Sequence, residues 1–178
     1  FSWLHKIPPA QLGSTALKAV DILTRGLYGG KGEYAPSALD MAGSDTRPPE
    51  GFNREQQNRL KQDAFYKTGT WLFNRKGFDG TSLDEIAEQL HVSKGAFYYH
   101  IRNKEELLFN CYSRSIDLVE NIHRQVAQSR GKGLEKVEQT CRRIFYCQNT
   151  DEGPLIRYNS ITALPMARRR EILKRTDA

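Results

Sequence analysis

Apolar residues recur every three or four positions along most of this chain, and glycine and proline interrupt the recurrence. After Pro8 and Pro9, the stretch AQLGSTALKAVDILTRGL places Leu12, Ala16, Val20, Leu23 and Leu27 on one helical stripe. Residues 29 to 51, GGKGEYAPSALDMAGSDTRPPEG, hold five glycines and three prolines with no sustained apolar period. Residues 29–53 therefore read as a linker that separates a helical segment at 1–28 from everything that follows.

Beyond the linker the pattern is helical throughout. Residues 54 to 76 carry Leu60, Ala64, Thr68, Trp71 and Leu72 at helical spacing, and Gly77 stands where such a helix should stop. Thr81 or Ser82 can cap a short second helix, with Glu85 placed for a capping box and Leu83, Ile86, Ala87 and Leu90 inward. Ser93 can cap the next helix, to about Ile101. Asn103 can cap a long one through Leu107, Cys111, Ser115, Leu118, Ile122 and Val126, stopped by Gly131 and Gly133. A further helix fits 134 to 147 on Leu134, Val137, Cys141, Ile144 and Phe145. Residues 155 to 163 predict another, and Pro165 can start a last one. No strand of convincing alternation is present, so the expected fold class is all-α, without solenoid repeats.

Composition narrows the function. The net charge is +6, and the basic excess lies after the linker: residues 54 to 104 hold nine Lys or Arg against six Asp or Glu, and residues 105 to 178 hold thirteen against ten. Such a balance suits a polyanion partner. No stretch approaches a membrane span and no secretory signal is visible at the start, which points to a cytoplasmic protein. Cys111, Cys141 and Cys147 lack metal-ligand spacing and fall on or near apolar stripes, so they are expected to be reduced core residues. His91 and His100 lie nine apart with no matching ligand frame. No acid and base pair, nucleophile triad, phosphate loop or metal cluster can be assembled, and neither an enzyme nor a cofactor is expected.

The chemistry concentrates in HVSKGAFYYHIRNKEEL, residues 91 to 107. Two short capped helices joined by LHVS, with Ala87 at their close approach and Val92 and Phe97 filling the gap, make a helix-turn-helix. In its second helix Gly95 and Ala96 let the backbone sit close to a groove. Lys94, Tyr98, Tyr99 and His100 can reach phosphates on either side, and Lys104 stands at the start of the following helix, where free N–H groups add to its pull.

This stretch resembles the TetR family of transcriptional regulators. The resemblance runs in register from residue 60 to about 108, on Leu72, Phe73, Gly77, Phe78, Thr81, Ser82, Ile86, Ala87, Val92, Ser93, Lys94, Gly95, Phe97, Tyr98, Tyr99, His100, Lys104, Glu106 and Leu107. It implies a TetR-like reader at 54–104 followed by a truncated helical ligand-binding and dimerisation domain at 105–178. It further implies that Thr81 or Ser82, Ser93, Tyr98, Tyr99, His100 and Lys104 hold the DNA backbone, and that Lys94, Gly95 and Ala96 lie nearest the base edges. Members of that family usually repress transcription as homodimers on a double-stranded operator and release it when a small molecule enters the helical domain. Phe109, Tyr112, Phe145, Tyr146 and Tyr158 are the aromatics that could line such a ligand cavity or simply form core.

Three features depart from the family pattern. His91 stands where the family often has glycine at a left-handed turn position, which histidine tolerates better than most residues. Thr68 and Gly69 replace a pair of small residues, and a mid-helix glycine costs about 1 kcal/mol against alanine. The chain also opens with residues 1–28, which resemble the closing helices of a ligand domain, so the whole resembles a piece of a tandem protein. A second reading follows from that arrangement, in which the chain is a helical dimerisation module whose reader no longer binds DNA.

Overall fold

The computed structural model describes residues 8–25 and 54–177, so the linker and the flanking parts of the opening segment lie outside the described residues. Among the described residues every regular element is helical. A 3-10 turn at Pro9–Gln11 leads into α1 (Leu12–Arg25), where Leu17 and Ile22 are exposed. The rest comprises α2 (Arg54–Lys76), α3 (Leu83–Gln89), α4 (Lys94–His100), α5 (Lys104–Gln128), α6 (Gly133–Gln148), a 3-10 segment at Tyr158–Ala163, and α7 (Met166–Thr176).

The capping chemistry sets the boundaries. Ser82 Oγ accepts from the Glu85 amide at 3.2 Å, Ser93 Oγ from the Ala96 amide at 3.2 Å, and Asn103 Oδ1 from the Glu106 amide at 2.7 Å. Gly77 ends α2 with φ of 74°, a left-handed conformation that only glycine adopts without strain. The helix expected over 155 to 163 does not form. Residues 153–157 run without regular structure and only a 3-10 segment follows, because side chains rather than a helical ladder satisfy this backbone.

α5 is the spine against which α2, α6 and α7 pack, while α3 and α4 join it through α2 and the shared core. That core holds Phe65, Leu72 and Phe73 from α2, Ile86 and Ala87 from α3, Phe97 from α4, and Leu107, Leu108, Cys111 and Tyr112 from α5. The stripe on α2 is thus Phe65, Gly69, Leu72 and Phe73. Leu60 and Trp71, expected inward, are 61% and 43% exposed, because the helix turns its glycine toward α5. A Cβ on Gly69 would lie 3.1 Å from Leu107 Cδ2 and 3.2 Å from Cys111 Sγ, so the glycine permits the close approach of the two helices. A smaller cluster of Ile122, Val126, Cys147 and Leu155 joins the later half of α5 to α6. Of the stripe expected on α6, Ile144 packs there, whereas Val137, Cys141 and Phe145 face outward.

Side chains of α2, α5 and α6 hold the extended segment between α6 and the 3-10 turn. Asn74 donates through Nδ2 to the Leu155 carbonyl at 2.9 Å and accepts through Oδ1 from the Arg157 amide at 2.8 Å. Ser115 Oγ accepts from the Ile156 amide at 2.9 Å, Gln148 Oε1 from the Leu155 amide at 3.1 Å, and Tyr112 donates its hydroxyl to the Arg157 carbonyl at 2.8 Å. Arg114, paired with Asp63 at 2.5 Å, donates to the Glu152 carbonyl at 2.6 Å. Burial favours a neutral Asp63, yet hydrogen bonds from Arg114 and Lys67 outweigh it and hold the carboxyl below its ordinary range.

α7 docks by Ile172, which is fully buried, and by Arg175, which reaches Asp117 at 2.6 Å and Glu120 at 3.0 Å on α5. Arg168 lies over the Phe109 ring, 4.9 Å from its centroid. Two basic side chains of α7, Arg168 and Arg175, are therefore folded back onto the spine.

Replacing Asn74 by alanine strips two partners from the extended segment, and the expected loss is about 1–3 kcal/mol of stability, read as a lower urea midpoint with an unchanged slope. The cysteines separate by burial. Cys111 and Cys147 are buried, Cys141 is exposed rather than core, and burial pushes the Cys111 thiol up to about 12. A thiol reagent should label Cys141 quickly in the native protein and reach Cys111 and Cys147 only when denaturant is added.

Candidate nucleic-acid interface

α3 and α4 are joined by a tight turn whose geometry rests on His91. Its φ is 52°, the left-handed conformation expected at this position. The His91 amide donates to the Glu88 carbonyl and the Val92 amide to the Ala87 carbonyl, both at 3.0 Å, which is the Schellman closure of a helix C-terminus. Val92 packs against the core, so the chain re-enters it directly after the turn. Phe97 then anchors α4 from beneath, fully buried, with its ring 4.9 Å from that of Phe65.

With Phe97 inward, the opposite face of α4 is open to solvent. Lys94, Gly95 and Ala96 are all exposed, Tyr99 is 85% exposed and Tyr98 44%. A Cβ added to Gly95 would meet nothing within 4 Å. Lys94 Nζ pairs with Asp84 Oδ2 of α3 at 2.6 Å, and the Tyr98 hydroxyl donates to Asp84 Oδ1 at 3.3 Å. His100 is half-buried, its ring 5.1 Å from Tyr99 and 5.7 Å from Phe65.

The remaining residues singled out in the sequence divide. Ser82 and Ser93 are exposed caps whose hydroxyl oxygens already accept backbone bonds, leaving their protons free to donate outward. Thr81 is placed differently: it is 2% exposed and donates its hydroxyl to the Gly77 carbonyl at 2.7 Å. Its proton ties the turn and is not presented at the surface. Lys104 also leans inward, its ammonium 3.1 Å from the Thr81 carbonyl and 4.3 Å from the centre of the Phe78 ring.

The aromatics suggested for a ligand cavity do not converge. Tyr112 and Tyr158 meet with ring centres 5.7 Å apart at the wall of a cavity of about 770 Å³, which Ser115, Ile116, Val119, Leu155 and Ile156 also line. Phe109 instead lies under Arg168, and Phe145 and Tyr146 are exposed on α6. The cavity's polar contributors, Glu120, His123, Gln148 and Arg175, carry no signal in the sequence pattern, because α6 and α7 bring Gln148 and Arg175 beside the two α5 residues only on folding.

Residues 66–111 match the family model of the bacterial regulatory proteins of the tetR family. Residues 66–111 are thus a tetR-type DNA-reading domain. The TetC protein of transposon Tn10 from Escherichia coli is 35% identical over 72 residues, 40% of this chain and 36% of that protein. IcaR of Staphylococcus epidermidis, an HTH-type negative transcriptional regulator of the biofilm operon icaADBC, is 36% identical over 66 residues, 35% of this chain and 36% of that protein. The matched stretch thus spans little more than a third of each relative. The solved structure of the ketosteroid transcriptional regulator KstR2 of Mycobacterium tuberculosis superposes with a TM-score of 0.56, over 66% of this chain and 61% of that one. At 18% identity this likeness establishes a TetR-like helical fold.

The reader's turn generates a prediction of its own. A non-glycine residue in the left-handed region costs about 1 kcal/mol or more. His91→Gly should therefore stabilise the domain by up to about 1 kcal/mol and His91→Ala should destabilise it, an order that thermal melts of the three proteins will read.

Proposed function

We propose that this chain is a sequence-specific DNA-binding transcriptional regulator, not an enzyme, in which residues 54–104 read a double-stranded operator and residues 105–178 form part of a ligand-binding and dimerisation domain. It acts in the cytoplasm as a homodimer, represses, and is released by a small apolar effector. α4 enters the major groove, and the two readers of a dimer meet half-sites about one helical turn, roughly 34–36 Å, apart. Lys94, Gly95 and Ala96 face base edges, while Ser82, Ser93, Tyr98, Tyr99, His100 and Lys104 serve the phosphates. The effector reading draws on the cavity beside Tyr112 and Tyr158, whose wall includes Leu155 and Ile156. Asn74, on the first helix of the reader, grips that same segment, so a molecule that displaced it would pull on the reader.

The observation that carries the DNA reading is Gly95. A glycine inside a seven-residue helix costs stability, and here no neighbour within 4 Å demands it. Its missing side chain is explained by a surface outside the chain that must come close to this backbone.

Gly95→Leu should consequently leave the free protein as stable as before or raise its melting temperature. The same change should weaken binding to the DNA upstream of the protein's own gene by at least about tenfold, measured by fluorescence anisotropy. Unchanged binding would remove the support for a groove-facing α4 and favour the alternative, a helical dimerisation module whose reader no longer binds DNA.

A further inference from the structure

Asp84 sits in the first turn of α3 and takes hold of α4 at two points, accepting from Lys94 Nζ at 2.6 Å and from the Tyr98 hydroxyl at 3.3 Å. Lys94 and Tyr98 are four residues apart, so they share one edge of the helix. The contact is at the surface: the Lys94 side chain is 69% exposed and that of Asp84 47%. An ion pair this open adds little to stability. The fold already joins α3 to α4 through Ala87, Val92 and Phe97 and has no evident need of it. What the pair does change is the charge that α4 presents outward.

We propose that Asp84 is an internal competitor for DNA, a carboxylate that occupies two donors of the reading helix and thereby weakens binding to phosphate at sequences that offer no base contact in return. The proposal rests on α4 being the groove-facing helix. A carboxylate and a phosphate present the same feature to an ammonium and a phenol, namely anionic oxygens that accept hydrogen bonds. To reach DNA, Lys94 must either leave Asp84 or carry that negative charge to within a Debye length, about 8 Å at physiological salt, of the backbone. The hydrogen bond from Lys94 holds the Asp84 carboxyl below its ordinary range, so the competitor is charged at neutral pH. Glu88, one turn further along α3, adds negative potential at Lys94 without a bond to it.

On a random sequence the cost of freeing Lys94 and Tyr98 is returned only by phosphate contacts. On an operator, a base edge that accepts from Lys94 returns more. The competitor therefore lowers affinity for every duplex by the same cost, and on a random sequence little is returned to offset it.

The test is anisotropy of the full chain on a short labelled duplex of random sequence, titrated at several salt concentrations. Asp84→Asn keeps the side chain's shape and removes the charge. Asp151→Asn removes the same charge from the turn after α6 and controls for net charge alone. Asp84→Asn should bind the random duplex about threefold to tenfold more tightly than either the wild type or Asp151→Asn, with a log–log salt slope steeper by about one. In a Lys94→Ala background the gain from Asp84→Asn should largely vanish, which identifies the pair as its source. If the wild type binds and the two Asn variants behave alike, Asp84 does not compete with DNA and this inference fails while the DNA-binding function stands. If neither the wild type nor Asp84→Asn binds any duplex, the DNA-binding function and the inference fall together.

Discussion

The close approach of α2 and α5 at Gly69 is the contact on which the rest of the structure depends. Leu107 and Cys111 lie directly over the missing side chain, and both are fully buried. This crossing lets Phe65, Leu72 and Phe73 reach α5 from one side while Ile86, Ala87 and Phe97 are drawn in from the other. The glycine is unfavourable for α2 as an isolated helix by about 1 kcal/mol, and interhelical packing offsets that cost only because nothing larger fits without displacing Leu107 or Cys111. With the spine fixed in this way, the two short helices of the reader need little stability of their own.

Those helices have seven residues each, too short to persist alone in water. They persist because each terminus is closed by a specific bond and each has a buried anchor, Ile86 and Ala87 in one and Phe97 in the other. The outward face of α4 is thereby free of structural duty. It carries a glycine the fold does not require, a tyrosine that is almost wholly exposed, and a lysine whose only bonded partner among the described residues is a surface carboxylate.

The segment from Leu155 to Arg157 shows the opposite economy. It has no helix or strand of its own, yet Gln148, Ser115 and Asn74 accept from its three successive amides, and Asn74 and Tyr112 donate to two of its carbonyls. A buried backbone must be satisfied somewhere, and here three different helices supply the partners. The result is one stretch of chain that touches α2, α5 and α6 at once and walls the cavity.

The sequence by itself determined the elements whose causes are local. Whereas the left-handed turn at His91 was expected only from the family resemblance, the caps at Ser82, Ser93 and Asn103, the stop at Gly77 and the long stripe of α5 are effects of neighbours within a few residues and were legible in the pattern. The donor-rich stretch from Lys94 to His100 could be located for the same reason. What only the tertiary structure decided are the matters of facing. The buried side of α2 is set by Gly69 meeting α5 rather than by the apolar period that would have buried Leu60 and Trp71, and Cys141 and Phe145 look outward from α6. Thr81 is turned inward by a bond to Gly77, and Asp84 meets Lys94 across a gap of ten positions. The extended run at 155–157 is held against helix formation by Asn74, more than eighty residues away in the chain. A sequence pattern records how often a residue type recurs along the chain. Which partner it will face depends on helices that meet only after folding.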